Sequence, residues 1–156
     1  MKLSSQEEFG LRFLLQMARR GDSLTIGELA REEGVSAPNV AKIMRVLRRS
    51  GFVTSTRGQA GGYTLARPAA VITVGEALAA LGGRIFDPSF CDRHAGTEQL
   101  CHRLTDCSIR SVWRLIQGAV DQVLVRLTLN DLLGGEQAVA GGRSAKAVSL
   151  PLTRAH

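Results

Sequence analysis

The amino-acid sequence predicts a mainly α-helical fold that includes one small β-hairpin. Apolar residues recur every three or four positions in several separate segments, and Thr-x-x-Glu or Thr-x-x-Asp capping patterns stand at the start of three of them. Two short runs of strand-forming residues, 52–56 and 63–66, flank a glycine-rich connection, which predicts the hairpin. The longest apolar stripe belongs to a helix predicted at 108–129.

Charge is distributed unevenly along the 156 residues, whose formal net charge is +6. A concentrated basic segment favours a polyanionic partner, because neutralising phosphates releases counterions. A solvated helix face is the alternative for a charged run taken alone. The length of the acid-free segment favours nucleic acid: no acidic residue occurs between Glu33 and Glu76, and six basic residues do, namely Lys42, Arg45, Arg48, Arg49, Arg57 and Arg67.

An amphipathic helix is predicted near the N-terminus. Phe9, Phe13 and Met17 share one stripe of it, which is expected to pack under the helices that follow. Glu7 and Glu8 fall in its first turn, where a carboxylate interacts favourably with the helix dipole.

Two further helices follow in quick succession. Thr25-x-x-Glu28 has the form of a capping box, and Gly34 supplies the left-handed conformation that ends a helix. Ser36 is predicted to cap the second of these helices. Its core stripe contains Val40, Ile43, Met44 and Leu47, and its opposite side presents Pro38, Lys42, Arg45 and Arg49.

The hairpin comes directly after these helices, and its connection carries Arg57 at the base of a glycine-rich turn. Helix, turn, helix and hairpin in this order form a winged helix-turn-helix, which we assign to residues 1–70. In such a domain the start of the second helix reaches base edges, later basic residues meet phosphate, and a wing arginine enters the narrow minor groove. The base-reading set is Ser36, Pro38, Asn39 and Lys42, the phosphate set is Arg45 and Arg49, and Arg57 is the wing contact.

All three cysteines fall in a polar segment without apolar periodicity. Because Cys91, Cys101 and Cys107 do not lie on an apolar stripe, a packing role is disfavoured, and their odd number argues against a disulfide framework. With His94 or His102 they form a Cys₃His set that suits zinc. Thiolates also suit an iron–sulfur cluster, and the residues by themselves leave both readings open.

A second unit is predicted at residues 71–133, made of a linker helix, the cysteine loop at 84–107 and a long dimerisation helix at 108–129. The apolar stripe of that helix is too long to be buried against so small a domain. We therefore expect a homodimer, with packing on the first helix as the alternative. Residues 134–156 lack apolar periodicity and are predicted to form a disordered tail.

Enzymatic and membrane-spanning classes are disfavoured. Cys101 and His102 are adjacent, and neighbouring residues on a chain seldom form the hydrogen-bonded pair of a thiol nucleophile. Neither a phosphate-binding glycine motif nor a catalytic carboxylate pair accompanies them. No run approaches the ~20 apolar residues of a membrane span and no signal peptide is visible, so we expect a cytoplasmic binding protein.

The segment VSAPNVAKIMRVLRRSGFVTSTRGQAGGYTLARP, residues 35–68, resembles one family of bacterial winged-helix regulators. Its motifs L-R-x-x-G-F-V and R-G-x-x-G-G-Y are similar to those of the iron–sulfur cluster regulator IscR, the nitric-oxide-sensing repressor NsrR and RirA. The resemblance extends to about Leu133. It implies a dimeric transcriptional regulator that binds an operator in double-stranded DNA. It also implies that Cys91, Cys101 and Cys107 hold a [2Fe–2S] or [4Fe–4S] cluster.

Two positions depart from the family pattern. Asn39 stands where relatives commonly have tyrosine, which leaves the operator sequence open. The spacing between Cys91 and Cys101 is longer than usual in the family, which leaves the cluster type open.

Three thiolates leave one coordination position to fill. IscR-like relatives use a histidine about three residues after the third cysteine, where this chain has Arg110, a permanent cation that cannot be a ligand. NsrR-like relatives use an acidic residue in register with Glu8, which the resemblance therefore implies as the fourth ligand, supplied by the other subunit. His94 and His102 are the alternatives.

The alternative function is a cluster-free regulator that senses by thiol oxidation, zinc or a partner protein.

Overall fold

The structure is a computed structural model that describes residues 3–56, 58, 61–84, 86 and 107–141. A mainly helical order with one antiparallel hairpin confirms the predicted fold class. The helices are α1 (Ser5–Arg20), α2 (Ile26–Glu33), α3 (Ala37–Arg49), α4 (Val74–Leu81), α5 (Ser108–Leu124), α6 (Leu129–Leu133) and α7 (Gly135–Gly141), and the strands are β1 (Val53–Thr56) and β2 (Gly62–Leu65).

Capping boxes begin four of the described helices. Thr25, Thr73 and Thr128 form the three that the sequence predicts, before α2, α4 and α6. The fourth precedes α1, where the Ser4 amide donates to the Glu7 carboxylate at 2.9 Å. Glu7 therefore caps α1 in addition to interacting favourably with the helix dipole, and it is only 7% exposed.

One core joins the helix-turn-helix to the segment that follows the wing. α1 packs against α3 and β2 and also against α4 and α6. Phe13 and Leu129 belong to the same buried cluster, as do the four residues of the predicted α3 stripe. The boundary expected near residue 70 thus runs through a continuous core, and a movement of α4 or α6 reaches α1 directly.

The long helix ends earlier than predicted. We expected it to continue to residue 129, but α5 ends at Leu124 and Val125 is its C-cap. The next residues leave the helix because they pair with a distant segment: the Val74 amide donates to the Leu127 carbonyl at 2.8 Å, and the Leu129 amide donates to the Ile72 carbonyl at 2.9 Å. These bonds replace the intrahelical bonds that a continuing α5 would make.

We predicted a disordered tail at residues 134–156, but a short helix begins directly after Gly134. α7 occupies Gly135–Gly141 and packs against α6. Ala138 lies so close to Gly134 that a methyl group there would stand 2.6 Å from its Cβ, and Val139 is half-buried. A single turn of apolar contact is too short to register as a period in the sequence. Residues 142–156 lie outside the described residues.

Most of α5 is not covered by the rest of the protomer, and Gln117 is its buried residue, at 6% exposure. Within the described ranges no helix is long and apolar enough to cross a membrane. The large apolar side chains that α5 and the turn after it leave exposed are Ile109, Val112, Leu115, Ile116 and Val125.

Candidate DNA-binding face and cysteine segment

The exposed side of α3 is cationic. Lys42, Arg45 and Arg49 are exposed, opposite a stripe that is at most 1% exposed. Throughout the part of the chain that the structure describes, none of these three cations takes part in an ion pair. Their charge is therefore available to an external anion, whose phosphates it would neutralise.

The first turn of α3 presents polar groups of its own. Ser36 occupies the N-cap position, but its side chain does not cap the helix as predicted. Pro38 has no amide hydrogen to offer, and the Asn39 amide donates to the Ser36 carbonyl at 3.0 Å. The Ser36 hydroxyl is consequently exposed beside Pro38, and Asn39 is half-buried next to them.

Both wing strands are anchored to the helical body. The hairpin pairs Val53 with Leu65, and the Phe52 amide donates to the Leu47 carbonyl at 2.9 Å, which ties β1 to the end of α3. Tyr63 forms an antiparallel bridge with Leu24, which ties β2 to the segment between α1 and α2. The wing is thus held at a set angle to α3 from two sides.

Gly62 is required for this second anchor. A Cβ at position 62 would overlap the Ser23 hydroxyl oxygen and lie 2.9 Å from the Leu24 carbonyl oxygen, so only glycine permits the approach. The predicted wing contact, Arg57, lies outside the described residues, as do positions 59 and 60.

Ion pairs hold α2 against α1. Arg20 contacts Asp22 at 3.2 Å and Glu32 at 3.2 Å, and Arg12 contacts Glu33 at 2.6 Å. The hydrogen bond and charge of Asp22 raise the pKa of Arg20 further above its ordinary value. These contacts orient the first helix of the helix-turn-helix. The pairs of Arg20 are largely exposed and contribute little to stability, whereas the Glu33 side chain that pairs with Arg12 is only 6% exposed.

Cys107 stands at the start of α5. It is free and half-buried, it occupies the N-cap position, and its sulfur accepts a hydrogen bond from the Arg110 amide at 3.4 Å. The sulfur thus lies at the N-terminal end of α5, in contact with a backbone amide of its first turn. Arg110, which takes the place of the histidine of IscR-like relatives, thus contributes a backbone donor to Cys107.

Glu8 is exposed on α1, with its carboxylate 4.0 Å from Arg12. The side chains of the other predicted ligands cannot be placed against it, because Cys91, Cys101, His94 and His102 all lie outside the described residues. Among the residues that are described, no group of three potential metal ligands is assembled.

Sequence reasoning missed the contacts that hold the start of the cysteine segment against α5. The Phe86 amide donates to the Gln117 side-chain oxygen at 3.1 Å, and the Gln117 side-chain nitrogen donates to Asp121 at 2.7 Å. Arg84 donates to the other oxygen of Asp121 at 2.8 Å. Nothing in the spacing of these residues signals the contacts, because they join positions more than thirty residues apart.

A buried α3 stripe, a cationic opposite face and an anchored hairpin define a winged helix-turn-helix protein of the DNA-binding class. The chain belongs to the Rrf2 family, described as iron-dependent transcriptional regulators, whose model matches residues 3–135. It is accordingly a transcriptional regulator and not an enzyme.

Individual relatives agree with this assignment. The chain is 36% identical over 135 residues to the protein rrf2 of Nitratidesulfovibrio vulgaris, covering 85% of this chain and 87% of that protein. Among solved structures, IscR of T. potens matches with a TM-score of 0.67 and 26% identity, covering 94% of this chain and 93% of that one. CymR, the global cysteine regulator of B. subtilis, has the same TM-score and identity, with coverage of 86% and 97%.

Proposed function

We propose that this regulator binds an operator as a homodimer and that its operator affinity is set by an iron–sulfur cluster held by Cys91, Cys101 and Cys107. The observation that carries the proposal is the position of Cys107 at the N-terminus of α5. A free, partly exposed sulfur that accepts an amide hydrogen bond suits a cluster thiolate, and the family's description as iron-dependent adds support. A bound cluster would supply a centre that oxidants or nitric oxide can alter.

The DNA-binding half of the proposal rests on the face described above. α3 enters the major groove with Ser36, Pro38, Asn39 and Lys42 towards the bases, while Arg45 and Arg49 meet phosphate and Arg57 enters the minor groove. In a symmetric dimer two such helices lie about 34 Å apart, or a small multiple of it, on an imperfect palindrome.

Coupling between cluster and operator follows from where α5 lies. Its first turn begins at Cys107, and its exposed apolar stripe is the surface that we propose to pack against the second copy. Binding or loss of a cluster at one end of α5 would then change the spacing of the two recognition helices. Because such coupling is reciprocal, operator binding must also change the affinity for the cluster.

The proposal is tested by anaerobic purification followed by visible spectroscopy and by iron, sulfide and zinc analysis. We expect a coloured protein with iron and sulfide, whose affinity for a duplex selected from a random pool changes when the cluster is removed by chelation. Colourless protein that contains zinc, or no metal at all, would contradict the cluster and support the thiol-based or partner-based alternative.

Glu8 is proposed as the fourth ligand, given by α1 of one subunit to the cluster of the other. Of the two acidic residues in the first turn of α1, Glu7 is engaged in the capping box, whereas Glu8 is exposed and only loosely paired. A carboxylate is a hard, weak ligand for iron, which suits a labile sensor.

Replacing Glu8 with Ala should shift the visible spectrum and speed cluster loss. Loss of even an outer-shell partner of a metal ligand costs about 10–100-fold in affinity, so loss of a ligand should cost at least that much. The matched comparison is His94→Ala and His102→Ala, measured anaerobically in the same way. An unchanged Glu8 variant beside a bleached or shifted histidine variant would transfer the assignment to that histidine.

A further inference from the structure

Among the described cations of the acid-free basic segment, Arg67 is the one that forms an ion pair within the protomer. Its guanidinium lies 3.4 Å from the carboxylate of Glu76, and both side chains are about two-fifths exposed, at 39% and 46%. The same guanidinium stacks over the ring of Phe52, with its central carbon 5.5 Å from the ring centroid. Arg67 therefore differs from Lys42 and Arg45, which have no such pairing among the described residues.

Phe52 is where the recognition helix and the wing meet. It is 4% exposed and immediately precedes β1. Its amide donates to the Leu47 carbonyl of α3, and its carbonyl accepts from the Ala66 amide just after β2, both at 2.9 Å. A side chain that packs on Phe52 can therefore influence the position of both wing strands relative to the end of α3.

Glu76 connects the same cluster to α4. Its carboxylate accepts from the Thr73 amide at 3.0 Å as part of the capping box. The Thr73 hydrogen bonds lower the pKa of Glu76, and the charge of Arg67 adds to that effect. A carboxylate that stays ionised and is fixed at a helix start is a firm anchor for a guanidinium.

We propose that Arg67 is a positioning residue for DNA recognition, which sets the angle of the wing relative to α3 by bridging Phe52 and Glu76, and that it does not contact phosphate. The proposal rests on the DNA-binding face assigned above. It also makes α4 a fixed support of the wing, since Glu76 belongs to the first turn of that helix.

The test compares Arg67→Ala with Glu76→Gln, using fluorescence anisotropy on a duplex that the parent protein selects from a random pool. Gln keeps the capping box of α4, so Glu76→Gln removes the partner of Arg67 without removing the cap. If Arg67 positions the wing, both variants weaken binding in the same direction, by about two- to tenfold. If Arg67 contacts phosphate, Glu76→Gln frees its charge and tightens binding.

The salt dependence of binding is a second way to distinguish a positioning role of Arg67 from a phosphate contact. Each neutralised phosphate contributes about 0.9 to the slope of log affinity against log salt, measured between about 50 and 200 mM. Arg67→Ala should leave this slope unchanged, whereas the control Arg45→Ala, which removes a proposed phosphate contact, should lower it by about one unit. In footprints, Arg67→Ala should lose minor-groove protection by the wing and keep the major-groove protection by α3.

Tighter binding by Glu76→Gln, a lowered slope for Arg67→Ala, or parent-like binding by both variants would overturn the inference. If Arg67→Ala does not fold, as judged by thermal unfolding, Glu76→Gln and its footprint decide. An unchanged slope for Arg45→Ala together with a parent-like footprint would count against the DNA-binding face itself.

Discussion

Replacing Val112 with Glu is expected to convert the proposed dimer into a monomer and to lower operator affinity by two or more orders of magnitude. Val112 lies on the exposed apolar stripe of α5 and is 50% exposed in the protomer. A two-fold interface contains each residue twice, so one substitution buries two unpaired carboxylates. A monomer engages one half-site, which brings affinity from the specific range of about 10⁻⁸–10⁻¹¹ M towards the non-specific range of about 10⁻⁴–10⁻⁶ M.

The matched control is Gln122→Glu, which places the same charge on the same helix at an exposed position that is already polar. Sedimentation and anisotropy should find this control dimeric and able to bind the selected duplex. Helix content by circular dichroism should match the parent in both variants, because Val112 is not part of the protomer core. A Val112→Glu protein that remains a dimer would contradict the assigned interface.

Replacing Cys107 with Ser is expected to abolish the proposed cluster: iron and sulfide should fall to background and the visible absorbance should be lost. A hydroxyl is a poor substitute for the soft thiolate that iron–sulfur clusters require. Operator affinity should then be the same under anaerobic conditions and after exposure to an oxidant or nitric oxide. Anaerobic spectra, metal analysis and anisotropy measure these outcomes.

Serine is the informative substitution because Cys107 is also the N-cap of α5. Serine is a favourable N-cap, so α5 should keep its start, whereas Cys107→Ala should be less stable than Cys107→Ser by about 1 kcal/mol through the missing cap. Equal loss of colour in both variants, with lowered stability in the alanine variant alone, assigns the effect to the ligand. A coloured Cys107→Ser protein would remove Cys107 from the ligand set.

Short-range chemistry explains which parts of the fold could be predicted. The capping boxes at Thr25, Thr73 and Thr128 join residues three positions apart, and the α3 stripe repeats every three or four, so each signal is complete within about a turn of helix. The wing strands were predicted to within one residue of their observed bounds for a similar reason, since a glycine-rich connection marks where they must turn.

The DNA-binding face was only partly predictable from composition. Lys42, Arg45 and Arg49 are exposed as expected from the position of the buried stripe. Arg67 was counted with them, although it is paired with Glu76, a residue beyond the end of the acid-free segment. Counting charges along the chain cannot reveal such pairing, because it depends on where the wing and α4 meet.

By itself the sequence determined α1 to α4 and the hairpin, the side of α3 that is cationic, and the cysteine set whose chemistry suits a cluster. Tertiary structure alone decided that α5 ends at Leu124, that Tyr63 pairs with Leu24, and that Gln117 holds the start of the cysteine segment. Each of these contacts joins groups that are far apart in the chain. The contacts form, and stabilise the fold, only once the shared core has brought these groups together. The periodicities of 3.6 and 2 residues that define helices and strands carry no information about these tertiary contacts.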